Sequence, residues 1–256
     1  MTDLLPIKIL SNEDGPAVEV VNPDGTAAIC LVCEHASSAI PRSLGFLGLN
    51  EMARKSHAAW DPGAALLARK LAASLDAPLV LGRVSRLVHD CNRPPDRVDA
   101  MPSRTEEIEI PGNRDLSDDE KAARTREVYD AFHARLTETL DRFEKAPALV
   151  TVHSFSPTWF GKPRNTEIGL LHDVNDRMAR AMLDAATPDF SVELNQPYSA
   201  KDGVTHMLAK HAIPRGLDNV MIEVRNDLLA DDPYVQRVTE ALLPMITVAL
   251  SKVVAE

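Results

Sequence analysis

The strongest constraint on this chain is an alternation of two kinds of segment. Short runs rich in Val, Ile and Leu occur at 17–21, 27–34, 78–83, 148–153, 167–171, 190–194 and 219–224, and longer amphipathic stretches separate most of them. Several runs place apolar residues at consecutive positions, which suits strands buried on both faces. The sequence predicts a short helix within 50–60 and longer ones over 62–75, 117–145, 174–186, 203–212 and 233–254. Asp61-Pro62 marks a restart, because Pro favours the first helical position and turns the residue before it out of the helical region. Ser117 followed by Glu120 reads as a capping box, and Pro244 predicts a kink in the last helix. Strands alternating with helices imply a three-layer α/β fold, with a mostly parallel or mixed central sheet between helices. A single core can grow to 256 residues, so 1–256 reads as one domain.

Composition narrows the function. The chain is 45% apolar and 26% charged, with a formal net charge of -10. That acidity disfavours nucleic-acid binding and requires local Arg or Lys for any anionic substrate. No stretch approaches the ~18 apolar residues of a membrane span. The N-terminus lacks the basic-then-apolar pattern of a signal peptide. Cys30, Cys33 and Cys91 are too few and too odd a set for a disulfide framework, which points to the reducing cytoplasm.

In open α/β sheets, ligands collect beyond the carboxyl ends of strands. Glu34-His35, Asn92-Arg93, His153-Ser154, Glu223 and Arg225 all fall at or just past apolar runs. Zinc hydrolases hold their metal with three His or carboxylate ligands, leaving one position for water, and a separate carboxylate moves the proton. His35 and His153 suit the nitrogen ligands and Glu223 the base. The third ligand is open between Glu34 and Asp61. Plainer readings stand beside these. A strand-end histidine is often structural, Asp61 before Pro62 resembles a helix N-cap, Arg225 is a ready partner for Glu223, and Asn92-Arg93 suits a turn. Cys30-x-x-Cys33 is half a zinc knuckle without its second half, and in a strand its members face opposite sides. Cys33 as a nucleophile would share a face with His35. His57, four residues before Asp61, reads as a support behind the ligands or as packing, and His133 as surface. Residues 159–169, with Lys162 and Arg164, read as a basic flap or an ordinary loop. The segment 195–206 offers Tyr198, Lys201 and His206 for substrate contact or turn chemistry.

The ordered motifs CEHASSAIP, HAAWDPGA, RLVHDCNRPPD, VTVHSFSP and VMIEVRNDL resemble the N-formylglutamate amidohydrolase family, from about residue 27 to about 230. The resemblance implies a zinc carboxypeptidase-like (phosphorylase/hydrolase-like) fold and metal-dependent hydrolysis of N-formylglutamate to formate and glutamate. It assigns His35 and His153 to one divalent ion, zinc by expectation, and Glu223 to general base. It assigns Asn92-Arg93 to a substrate carboxylate. The His-x-x-Glu pair of the carboxypeptidases is absent, since Ser38 stands where the Glu would be, so the resemblance favours Asp61 as third ligand with Glu34 in reserve. Arg86, Arg164 and Arg225 are the arginines from which an oxyanion donor is expected. Arg164 and Arg225 are further expected to touch substrate, and His57 and Ser154 to support the ligands. The partner is a small anionic N-acyl amino acid, with no nucleic acid or membrane. Competing readings are a zinc amidase for another N-acyl amino acid or short peptide, a metal-free cysteine hydrolase, and a non-catalytic binding protein.

Overall fold

The computed structural model describes residues 7–105 and 108–253. All seven apolar runs form strands of one sheet: β1 (Val18–Val21), β2 (Ile29–Cys33), β3 (Leu79–Gly82), β4 (Ala148–Phe155), β5 (Ile168–Leu171), β6 (Val192–Leu194) and β7 (Asn219–Arg225). Their order is β1-β3-β2-β4-β7-β5-β6. The central β3, β2, β4 and β7 run parallel. β1 and β5 are antiparallel to their inner neighbours, and β6 is parallel to β5. The sheet is therefore mixed, with a parallel centre.

Period-two alternation divides each central strand between two cores. Ile29, Leu31, Cys33, Val150, Val152, Val220 and Ile222 pack against α2 (Ala64–Leu75), α5 (Arg177–Asp184) and α6 (Asp232–Val253). Cys30, Val32, Leu149 and Met221 face the opposite layer, which includes α3 (Asp118–Arg124) and α4 (Ala131–Leu140). Cys30 and Cys33 thus lie on opposite faces, both fully buried, and burial pushes the Cys30 thiol up to about 12. α1 (Glu51–Lys55) is shorter than the predicted 50–60 segment, because the chain leaves the helix at Ser56. α6 accommodates Pro244, and residue 254 of the predicted helix lies outside the described residues. Among the described residues no helix is long and apolar enough to cross a membrane.

The long helix expected over 117–145 is interrupted. Its capping box is present, but a π-helical turn at Thr125–Asp130 separates α3 from α4, and α4 ends at Leu140. The wide turn changes the helical register, and His133, expected on the surface, is buried. A second π-helical turn, Leu208–Ala212, lies within the predicted 203–212 helix and brings His211 to meet it. His133 Nδ1 is 2.6 Å from His211 Nε2, and His133 Nε2 is 3.0 Å from the Cys91 carbonyl oxygen. A carbonyl only accepts, so His133 carries its proton on Nε2 and His211 donates to Nδ1. Both rings are then neutral. Burial, then the neighbouring His211, lowers the pKa of His133 to about 2, and burial, then Arg215, lowers that of His211 to about 4.

Two glycines allow close approach where the site is built. A Cβ on Gly82 would meet the Glu34 carbonyl oxygen at 2.1 Å, and Gly63 turns at φ +80° with Leu229 against it. Gly82→Ala is expected to cost about 3 kcal/mol by overpacking, read as a shifted denaturant midpoint at unchanged m. The histidine pair sets a pH dependence. Folded pKa values below the unfolded ~6.5 mean that the unfolded chain binds protons first, so stability is full above that pH and falls as pH drops through 6 and 5. Denaturant titrations of wild type and His133→Leu over pH 7 to 5 are expected to show a shallower slope in the variant, by up to ~1.4 kcal/mol per pH unit per histidine removed from the linkage.

Candidate active site

The parallel centre of the sheet delivers its strand ends to one rim. β2 ends at Cys33, and Glu34 and His35 follow it out of the sheet. The His35 carbonyl accepts from Asp61 N at 3.0 Å, which seats the Trp60-Asp61-Pro62 turn on it. The N-cap of α2 is Gly63, with no side-chain cap bond, so the Asp61 carboxylate is not capping and turns into the rim. β4 brings His153, whose cross-strand neighbour on β7 is Glu223.

Three buried donors converge. Asp61 Oδ2 lies 2.9 Å from His153 Nδ1 and 3.3 Å from His35 Nδ1, and one ligand atom from each residue fits within 4.8 Å of the others. Each imidazole has its far nitrogen against another carboxylate. His35 Nε2 is 2.8 Å from Asp90 Oδ1, and His153 Nε2 is 3.2 Å from Glu34 Oε1. A carboxylate hydrogen-bonded behind a histidine, as Asp90 is behind His35, fixes the ring and its tautomer, the usual support of a metal-binding imidazole. Glu34 meets His153 Nε2 as a nearby charge rather than as a hydrogen-bond partner. Glu34 therefore stands behind His153 rather than beside Asp61, as the alternation along β2 requires. Ser154 tightens the same corner: its N–H is 3.4 Å from Asp61 Oδ2 and its hydroxyl donates to the Pro62 carbonyl at 2.8 Å.

Asp90 went unrecognised in the sequence, although an acid inside LVHDC four residues after Arg86 is the signal for it. Its Oδ2 accepts from Arg86 Nε at 3.0 Å and Nη2 at 2.6 Å, and its Oδ1 also accepts from Asn92 N at 2.8 Å. Arg86 Nη1 further lies 3.5 Å from Asp61 Oδ1.

The charge balance of this cluster fits a cation. Glu34, Asp61, Asp90 and Glu223 are all buried, and Arg86 is the permanent cation set among them. Burial opposes ionisation of Asp61, yet His35 and His153 hold its carboxyl below the usual range. Burial alone would lower the pKa of His153, but Glu34 and Asp61 hold it well above the ordinary value. Two imidazoles and a carboxylate form an N2O donor set that suits zinc and other first-row metals. Glu34 and Glu223 both carry buried oxygens without a hydrogen-bond partner, but they titrate in opposite directions. Against the cost of burial, His153 and His35 hold Glu34 below the usual range, whereas burial raises the pKa of Glu223 to about 7 despite the pull of His153.

The cluster opens into a cleft of about 850 Å³, also lined by His57, Asn92, Arg93, Arg164 and Tyr198. The amide of Asn92 is occupied at both ends, donating to the Val204 carbonyl at 2.6 Å and accepting from Met207 N at 2.9 Å. It therefore fixes the cleft wall. Arg93 donates from Nε to Asp99 Oδ2 at 3.1 Å and from Nη1 to the Asn92 carbonyl at 2.8 Å. Arg225, expected at substrate, is absent from the cleft lining. It pairs with Asp227 at 2.8 Å and donates to the Arg164 carbonyl, because acids on the neighbouring turns capture it as β7 ends. Cys33, fully buried in the α2 layer, is absent from that lining too, which removes the geometry a cysteine nucleophile needs.

Comparisons with known proteins place the chain by sequence and fold. A crystal structure of gene product Atu2144 from Agrobacterium tumefaciens is 45% identical, covers 97% of this chain and 100% of its own, and superposes with a TM-score of 0.94. The N-formylglutamate amidohydrolase from Ralstonia eutropha JMP134 is 14% identical, covers 92% of this chain and 97% of its own, and has a TM-score of 0.59, a likeness of fold. Among curated proteins none matches. The N-formylglutamate amidohydrolase family model matches residues 27–230, four fifths of the chain and every motif at the rim. The chain belongs to the N-formylglutamate amidohydrolase family.

Proposed function

We propose that this chain is a metal-dependent amide hydrolase that converts N-formylglutamate to formate and glutamate. One observation carries the reading: two imidazole Nδ1 atoms and Asp61 Oδ2 meet beside the unpartnered Oε2 of Glu223. His35, Asp61 and His153 hold a divalent ion, assigned as zinc on ligand type. Such an ion acidifies a water toward pKa ~7 and polarises the carbonyl to be attacked.

The protein's own groups do the rest. Glu223 takes the proton of the attacking water and hands it to the leaving amine. A carboxyl held near pH 7 by burial does both with little driving force lost in either direction. Asp90 holds the Nε2 proton of His35 and so leaves its Nδ1 free to face inward, and Glu34 places its negative charge beside His153 Nε2. Of the three candidate arginines, Arg86 is the one whose guanidinium reaches Asp61, with Nη1 3.5 Å from its Oδ1, and it supplies the oxyanion donor from the edge not bound to Asp90. Arg93 receives the α-carboxylate with the guanidinium hydrogens left over from Asp99 and Asn92. His57 sits on the cleft wall as a support.

A second reading has its own observation. The cleft lies toward the upper end of the ~300–1,000 Å³ typical of small-molecule sites. Room for more than a formyl group favours the same chemistry on a longer N-acyl amino acid or a short peptide. Rates across N-formyl, N-acetyl and dipeptide substrates separate the two.

Metal analysis of purified protein is expected to show one ion in wild type and in Glu223→Gln, and at least tenfold lower occupancy in His153→Ala. Equal metal in His153→Ala would remove the site. Glu223→Gln is expected to lose ~10²–10⁴ in turnover. Asp90→Ala, which frees His35 Nε2, is expected to weaken metal binding ~10–100-fold in a competitive chelator titration.

A further inference from the structure

The cleft arginines differ in how their charge is met. Arg86 lies on Asp90 at 2.6 Å, Arg93 on Asp99 at 3.1 Å, and Arg104 on Glu109 at 3.2 Å. Arg164 has no acidic partner among the described residues. Its guanidinium carbon stands 4.7 Å from the Tyr198 ring centroid, 5.0 Å from that of Trp159 and 5.5 Å from that of Phe155. One N–H goes to the Ser156 carbonyl at 3.2 Å, and the Tyr198 hydroxyl is within reach of the fork. The backbone is fixed on both sides, Arg164 N donating to the Pro157 carbonyl at 2.8 Å and Arg164 O accepting from Arg225 at 3.2 Å.

A guanidinium is weakly hydrated and stacks readily on aromatic rings. Three rings around the half-buried guanidinium restrict its plane, and Arg164 lines the cleft with N–H groups beyond the one given to the Ser156 carbonyl. A planar guanidinium edge takes a carboxylate through two parallel hydrogen bonds. Arg164 and Arg93 approach the cleft from different loops, one after β4 and one after β3. Lys162, exposed on the hairpin just before Arg164, adds positive charge at the rim.

We propose that Arg164, framed by Phe155, Trp159 and Tyr198, receives the side-chain carboxylate of the substrate and so makes this enzyme selective for acidic over neutral N-acyl amino acids. This rests on the hydrolase reading above, in which Arg93 takes the α-carboxylate common to all such substrates.

The test compares N-formylglutamate with N-formylglutamine, which has the same shape without the charge. In Arg164→Met the ratio of kcat/KM for the two is expected to fall ~100-fold, about tenfold for each charge-assisted hydrogen bond lost. Arg164→Lys, which keeps the charge but not the fork, is expected to fall between. Arg93→Met is expected to lower both substrates and leave the ratio within ~3-fold of wild type. Calorimetry with L-glutamate and L-glutamine on zinc-loaded wild type and both Arg164 variants gives a readout independent of turnover. Turnover with a ratio indifferent to Arg164, or a ratio that collapses in Arg93→Met instead, overturns this assignment and leaves the hydrolase reading standing. No turnover of any N-formyl substrate, with glutamate preferred over glutamine through Arg164, overturns the hydrolase reading and leaves this one. Neither turnover nor a glutamate preference in wild type overturns both.

Discussion

The parallel alignment of β2, β4 and β7 is the constraint on which the rest depends. Three neighbouring strands that run the same way must deliver their carboxyl ends to the same rim, and those ends carry His35, His153 and Glu223. Hydrogen bonding between strands sets the register, so the imidazole of β4 and the carboxyl of β7 are side by side without any direct bond between them. Asp61 arrives by a different route: its backbone N–H is bound to the carbonyl of His35, and Gly63 lets the chain turn into α2 without using its carboxylate as a cap.

Electrostatics then divides four buried carboxylates into different roles. Asp61 lies between two imidazoles and stays ionised. Asp90 and Glu34 lie behind those imidazoles. Glu223 has no partner for one oxygen, and burial dominates its titration. Four carboxylates thus differ in charge state and partners according to what stands within about 3 Å of each. Burying so much negative charge is costly unless a cation compensates it, and Arg86 alone compensates only part.

Away from the His35, Asp61 and His153 cluster, the cleft is shaped by loops whose side chains are largely committed to one another. Asn92 ties the 204–207 segment to the loop after β3, and His133 with His211 closes the layer beneath it by gripping the Cys91 carbonyl. The wall that carries Arg93 is therefore tied down by polar contacts buried on one face of the sheet. On the other side, Arg164 is held through its backbone by hydrogen bonds to Pro157 and Arg225, and its guanidinium is set by stacking on Tyr198 and Trp159 rather than by an ion pair.

The sequence by itself determined the seven strands, the mixed three-layer architecture and the presence of His35, His153 and Glu223 at strand ends, because hydrophobic periodicity and strand parity are local properties. The motif resemblance went further, favouring Asp61 over Glu34. What the sequence could not decide was pairing. Asp90 carries a local signal in its spacing from Arg86, but its pairing with His35, 55 residues away, does not. Arg225 and Glu223 share strand parity and still part company, since Glu167 and Asp227 draw the arginine aside. His133 reads as a surface residue until a π-turn shifts the helix and a second one brings His211 to it. Which buried polar group meets which is settled only when distant segments pack, because hydrogen bonds and ion pairs act over a few ångströms and sequence spacing carries no record of those distances.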